Sequence, residues 1–212
     1  MDNSPDMMKG TTTIGIIFDG GVVLASEQRA TMGYLIANKH AKKIYQIGKR
    51  FGMTTAGGVG DAQQLARVMT VEANLYEIRR NRSMSVRSAA TLLSNLLHGN
   101  RGYPYYVQLL IGGVDESGPV LFSVDAVGGA SEEDRVVATG SGSPMAFGVL
   151  EDRYRPGIDK DGAIELAIRA LHSAIKRDAG SGEGLSISVI TRDAYVELTP
   201  EEIAQHAPFT DK

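Results

Sequence analysis

The chain has 212 residues, 42% hydrophobic and 22% charged, with a formal net charge of −3. That balance suits one globular domain with a real core, and it argues against a basic nucleic-acid-binding surface or an acidic solvating tail. The absence of cysteine excludes disulfides, thiolate metal sites and cysteine nucleophiles together.

The first ten residues, MDNSPDMMKG, are polar and contain no apolar h-region, so they do not read as a secretory signal. No run approaches the roughly 18 apolar residues that a membrane span needs. A soluble intracellular protein is expected. Residues 11–30, TTTIGIIFDGGVVLASEQRA, read as two strands around a tight turn at Asp19-Gly20-Gly21, where glycines supply the positive φ angles of a hairpin. LASEQRATMGYLIANKH, residues 24–40, has apolar character without clear period and reads as strand plus loop. KIYQIGKRFGMTTAGG repeats the hairpin plan, with Gly48-Lys49 near its turn.

The period then changes. Leu65, Val68, Met69, Leu75 and Ile78 recur at helical spacing behind Asp61, a good N-cap. Ser85 opens a second helix with Ala89, Leu92, Leu93, Leu96 and Leu97 on one face and Gly99 beyond its end. Strands return as YYVQLLIGGVD and PVLFSVDAVGG, joined by Asp115, Ser117 and Gly118. RVVATGSGS is a strand running into a glycine-serine loop, and Pro144 begins the next helix in its first turn. Asp159 or Asp161 caps a further helix, and GLSISVITRD with AYVEL forms a last hairpin. Thr199-Pro200-Glu201-Glu202 is a capping box that opens a short terminal helix.

Strand groups joined by tight turns should be antiparallel, and paired helices can cover sheet faces. The economical architecture is therefore an α+β domain of two antiparallel sheets face to face, with a helix layer outside each. No linker or composition shift divides the chain. One domain, 11–212, is expected behind a detachable head, 1–10.

Several motifs fail on spacing. AGGVGD is not part of a Walker pattern, since the only Gly-Lys pair, Gly48-Lys49, is followed by Arg50, and it lacks the dinucleotide pattern because Gln63 stands where the third glycine would be. It reads as a strand-to-helix turn whose glycines let backbone N–H groups approach a substrate. G-x-S-x-G does not fit around Ser141 or Ser143. The four histidines, His40, His98, His172 and His206, form no H-x-x-x-H pair, so zinc and a Ser-His-Asp triad are both poor readings. The front of the chain offers another route. If Gly10-Thr11 is cleaved, Thr11 gains an α-amine with a reference pKa of about 7.7–8.0, so nucleophile and base sit on one residue. A nearby cation would lower the pKa of both groups, and a carboxylate would orient that cation.

KGTTTIGI, GDAQQLAR, TLLSNLL, YYVQLLIGGVD, ATGSGSPMAFGVLE and SISVITRD, in that order, resemble the β-subunits of the proteasome, most closely the archaeal type. The likeness runs from Thr11 to about Tyr195. It implies the four-layer αββα sandwich of the N-terminal nucleophile hydrolases and a threonine endopeptidase without metal or cofactor. By the same resemblance Thr11 is nucleophile and, through its freed amine, base. Lys43 is the cation and Glu27 the acid that holds it. Ser141, Asp178 and Ser181 surround the amine, and Gly57 donates its N–H to the oxyanion. Thr31 and Val59 would bind an extended substrate as an added strand. Ala30, Thr55 and Val59 would line the pocket for the residue before the scissile bond, and Gly10 would permit self-cleavage.

The implied partners are proteasome α-subunits, other β-subunits in a seven-membered ring stacked as α7β7β7α7, a regulatory ATPase ring reached through the α-subunits, and protein substrates. Neither nucleic acid nor membrane is implied, and the location is cytoplasmic. Each residue also has an ordinary reading alone: Lys43 as a solvated charge, Glu27 as a strand-edge carboxylate, Asp178 as a helix-end residue, Ser141 and Ser181 as loop hydroxyls. Two departures stand out. Thr55 is polar for an apolar pocket, and DAGSGEG carries Glu183 where a plainer glycine turn is common, with no effect on chemistry expected. A catalytically silent ring subunit, and a shorter bacterial peptidase that pairs with an unfoldase, are the alternatives.

Overall fold

A computed structural model describes residues 10–207. In chain order, β1 (Thr13–Phe18) and β2 (Gly21–Glu27) form the first hairpin, with Gly20 at φ +96° in its turn. β3 (Ala30–Met32) and β4 (Leu35–Asn38) follow, then β5 (Ile44–Gly48) and β6 (Phe51–Gly57). Helices α1 (Val59–Arg80) and α2 (Val86–Gly99) come next. Strands β7 (Val107–Asp115), β8 (Gly118–Val124), β9 (Ala130–Glu133) and β10 (Val136–Thr139) precede α3 (Ser143–Arg153) and α4 (Lys160–Ile175). β11 (Leu185–Thr191), β12 (Tyr195–Glu197) and α5 (Pro200–Gln205) end the described chain.

Two five-stranded antiparallel sheets result, ordered β10-β1-β2-β11-β12 and β5-β6-β7-β8-β9. Three apolar layers hold them. Ile14, Ile16, Val23, Ala25, Ile187 and Val189 point from the first sheet onto α3 and α4. Met53, Leu109 and Ile111 point from the second sheet onto Leu65, Met69, Leu93 and Leu97 of α1 and α2. Val22, Leu24, Ile44, Leu110, Leu121, Val137 and Ile190 fill the space between the sheets. This is the expected αββα sandwich. Because both faces of β2 are covered, all seven of its residues are buried. Gly112 lets the sheets close together: a Cβ there would lie 2.9 Å from Val22 Cγ1 and 3.0 Å from Leu24 Cδ2.

Several local expectations are corrected. Gly99 is the last residue of α2 rather than beyond its end, and Asn100 is the C-cap. Asp61 does not cap α1, whose N-cap is Gly58 without a side-chain bond. Its carboxylate instead accepts from the Tyr106 N–H at 2.8 Å and ties the helix to the approach of β7. The inner stripe of α1 is Ala62, Leu65, Ala66, Met69 and Ala73, while Ile78 is 79% exposed. Alanines let the helix lie close on the sheet, so the largest apolar residues do not mark its buried face. The stretch read as strand plus loop after β2 is a two-stranded hairpin, β3–β4, separate from both main sheets, and β9 is a strand that the sequence pattern does not announce. The capping choice between Asp159 and Asp161 falls to Asp159, which accepts from the Gly162 N–H at 2.8 Å. The Thr199–Glu202 capping box forms as expected. Among the described residues no helix is long and apolar enough to cross a membrane.

Candidate active site

Strand alternation sends Thr11 and Thr13 toward the second sheet and Thr12 toward the helices. Thr11 is 5% exposed. Its Oγ1 accepts from Lys43 Nζ at 3.0 Å and donates to the Gly10 carbonyl at 2.6 Å. Gly10 precedes it here, so Thr11 N is a peptide amide, and it donates to Ser141 Oγ at 3.1 Å. Lys43 stands just before β5 and is buried. Its ammonium donates to Glu27 Oε1 and, at 2.5 Å, to the Arg29 carbonyl. Burial lowers the Lys43 pKa below its ordinary value, Glu27 and Asp178 oppose that shift, and Arg29 adds to it.

Glu27, at the end of β2, is fully buried and accepts on both oxygens. Oε1 takes the Thr12 N–H at 3.1 Å besides Lys43, and Oε2 takes the N–H groups of Arg29 at 2.6 Å and Gly182 at 3.0 Å. Such saturation is what makes a buried carboxylate tolerable. On the other side of Thr11, Asp178 Oδ2 accepts from Ser141 Oγ and from Ser181 Oγ, both at 2.6 Å. Asp178 follows α4, and its main-chain N–H bonds to the Ala174 carbonyl at 2.7 Å, so the helix end fixes the turn. The sequence-predicted Thr11, Glu27, Lys43, Ser141, Asp178 and Ser181 therefore form one connected network.

A cleft opens beside Thr11 and is lined by Gly10, Ala30, Thr31, Thr55, Gly57 and Val59 among others. Thr55 is buried and Val59 is 53% exposed. Gly57 has φ +119°, and a Cβ there would lie 2.2 Å from the Tyr106 carbonyl oxygen, so only glycine fits. Thr31 Oγ1 accepts the Gly10 N–H at 3.1 Å.

Residues 7–190 match the protein family described as "Proteasome subunit". The chain belongs to the proteasome-subunit family. It is 74% identical over 208 residues to a "Proteasome subunit beta" of Methanospirillum hungatei, covering 98% of this chain and 100% of that one. It is 65% identical over 205 residues to one of Methanoregula boonei, with 97% and 96% coverage. It is 59% identical over 203 residues to one of Methanosarcina mazei, with 96% of each chain covered. The proteasome family assembles from several subunits and acts as a peptidase, and this chain shares both properties.

Several partners in the network carry no distinct signal in the sequence. Thr12 Oγ1 lies 2.7 Å from Ser181 Oγ, and Thr13 Oγ1 bridges Thr54 Oγ1 at 2.9 Å and Thr139 Oγ1 at 2.7 Å. In the sequence Thr12 and Thr13 read as plain strand residues. Gly140, at φ +90°, lies so close that a Cβ would stand 2.1 Å from the Thr11 carbonyl oxygen. Gln108 Oε1 accepts from the Gly140 N–H at 3.0 Å and steadies that approach. The glycine pair flanking Ser141 is the available signal there. Arg29 and Gln108 leave none, since each joins segments far apart in the chain.

Proposed function

We propose that this chain is a threonine-type endopeptidase, the catalytic β-subunit of a proteasome core particle, and that it removes residues 1–10 by its own action. Residues 1–9 lie outside the described residues. The observation that carries the reading is the Thr11 hydroxyl held between the Lys43 ammonium at 3.0 Å and the Gly10 carbonyl at 2.6 Å. In self-cleavage, Thr11 Oγ attacks the Gly10 carbonyl carbon, the C–N bond to Thr11 breaks, and an ester replaces the amide. Water then hydrolyses the ester and leaves a free amine on Thr11.

In substrate hydrolysis the same oxygen attacks a peptide carbonyl. The Thr11 amine takes the hydroxyl proton and passes it to the departing amine. Lys43 stabilises the alkoxide form of Thr11, and Glu27 orients Lys43. Ser141, Asp178 and Ser181 hold the amine in place, and the Gly57 N–H stabilises the oxyanion. Thr31 and Val59 bind the substrate backbone, and Ala30, Thr55 and Val59 shape the pocket for the residue before the scissile bond. Water releases the acyl group. We further propose the stacked ring assembly with α-subunits, an ATPase ring docked on them, unfolded protein substrates and a cytoplasmic setting.

Intact mass before and after assembly with α-subunits tests the reading. The chain should lose ten residues on assembly. Thr11→Ala should abolish both that loss and peptide hydrolysis. A chain that keeps its first ten residues and still cleaves peptides would refute the mechanism.

A further inference from the structure

One arginine reaches both halves of the Thr11 network. The Arg29 N–H donates to Glu27 Oε2 at 2.6 Å, and its carbonyl accepts from Lys43 Nζ at 2.5 Å. Its side chain runs the other way, to the turn that carries Asp178 and Ser181. There Nη1 donates to the Ala179 carbonyl at 2.9 Å, and Nη2 pairs with Glu183 Oε1 at 3.2 Å. The guanidinium also lies against the Gly182 backbone: a Cβ on Gly182 would stand 2.2 Å from Arg29 Cζ. The Gly182 N–H closes the circuit by donating to Glu27 Oε2.

Glu183 occupies an unusual backbone position for this contact. Its φ is +64°, a region that non-glycine residues adopt at a cost and glycine adopts freely. The side chains of Arg29 and Glu183 are 22% and 24% exposed, so the pair is partly shielded from water. We infer that Arg29 and Glu183 are positioning residues, which clamp the Asp178–Ser181 turn to the Glu27–Lys43 pair and so hold the proton-handling side of the site in register with the cation. This departs from the expectation, on sequence alone, that Glu183 is without consequence for chemistry. The inference rests on the threonine-peptidase reading of the site.

The test uses particles assembled with α-subunits, with leader removal checked by intact mass. Glu183→Gly relieves the backbone while deleting the carboxylate, so folding is not put at risk. Its kcat on a fluorogenic peptide should fall about 5–10-fold with KM changed less than about twofold, and its unfolding temperature should not fall. Glu183→Gln keeps an oxygen that accepts from the guanidinium and should restore kcat to within about twofold of the parent. A Glu183→Gly particle with the parent's kcat overturns the inference. So does a loss of kcat that appears equally in both variants and tracks a lowered unfolding temperature, because that is a merely structural effect. Thr11→Ala in the same particle separates the two layers: retained hydrolysis there refutes the threonine reading itself, whatever Glu183 does.

Discussion

Glu27→Gln is nearly isosteric and tests the network at its most buried point. Both carboxylate oxygens accept only from donors: Oε1 from Thr12 N–H and Lys43, Oε2 from the N–H groups of Arg29 and Gly182. An amide can offer an oxygen to one of those pairs only, and its NH₂ then faces two donors. Leaving two buried N–H groups unpaired costs about 1–3 kcal/mol each. Lys43 also loses the charge that opposes its desolvation, and breaking a buried pair from one side costs about 3–5 kcal/mol in all. These overlap rather than add, so about 4 kcal/mol is expected. For a domain of this size that lowers the unfolding temperature by roughly 10 °C. Losing the oriented cation should lower peptide hydrolysis by about 10²-fold or more. Thermal unfolding of the free subunit and hydrolysis by the assembled particle measure the two effects. A Glu27→Gln chain that melts within about 2 °C of the parent and cleaves at the same rate would refute the assignment of Glu27 as Lys43's holder.

Other expectations follow from the same geometry. Lys43 lies below its ordinary pKa of 10.5, chiefly through burial. Activity that needs its ammonium is lost as pH rises through that lowered value, so the alkaline limb of kcat should lie below 10.5 and move lower still in Glu27→Gln. For stability the sign is opposite: the unfolded chain binds more protons between the lowered value and 10.5, so the Lys43 contribution rises with pH in that window. Burial raises the Tyr195 phenol to about 12, with Glu197 adding to the rise and the Ser188 hydroxyl bond opposing it. The unfolded chain loses that proton first, so stability should fall from about pH 10 to about 12, and Tyr195→Phe should flatten this fall in denaturant titrations. Gly112→Ala should push the sheets apart and cost about 1–3 kcal/mol by chemical denaturation. Gly10→Ala would bring a Cβ to 1.9 Å from Gly180 Cα, a backbone atom that cannot yield, so leader removal followed by mass should slow sharply.

The layers of the fold are legible in the sequence because hydrophobic period separates strands from helices and tight turns force antiparallel pairing. Pairing between distant strands is not legible. β10 beside β1 and β11 beside β2 join residues more than a hundred positions apart, and no local pattern records which edge a strand will find. β9, SEE with one alanine ahead of it, lacks apolar alternation because it is an outer strand whose residues mostly face water. The buried face of α1 is hard to read because alanine carries little hydrophobic weight, yet packs a helix close to a sheet.

The site shows the same division. Glu27, Lys43 and Asp178 are ordinary charges in their own segments, and only the family pattern draws them together. Their physical connection depends on the sandwich bringing the end of β2, the approach to β5 and the end of α4 to one point. The threonine triplet makes the case most clearly. β-propensity explains three threonines in a row equally well at every position, so it cannot single out one. Alternation can: Thr11 and Thr13 face the second sheet, where Lys43 and Thr54 stand, and Thr12 faces the turn after α4, where Ser181 stands. A one-residue slip of β1 that brought Thr12 to Lys43 would turn Thr13 toward Ser181. Thr13 opposes that slip, because its hydroxyl joins Thr139 in its own sheet to Thr54 in the other. The register of an apolar strand thus decides which hydroxyl meets the cation, and the third threonine helps to hold the first in its place.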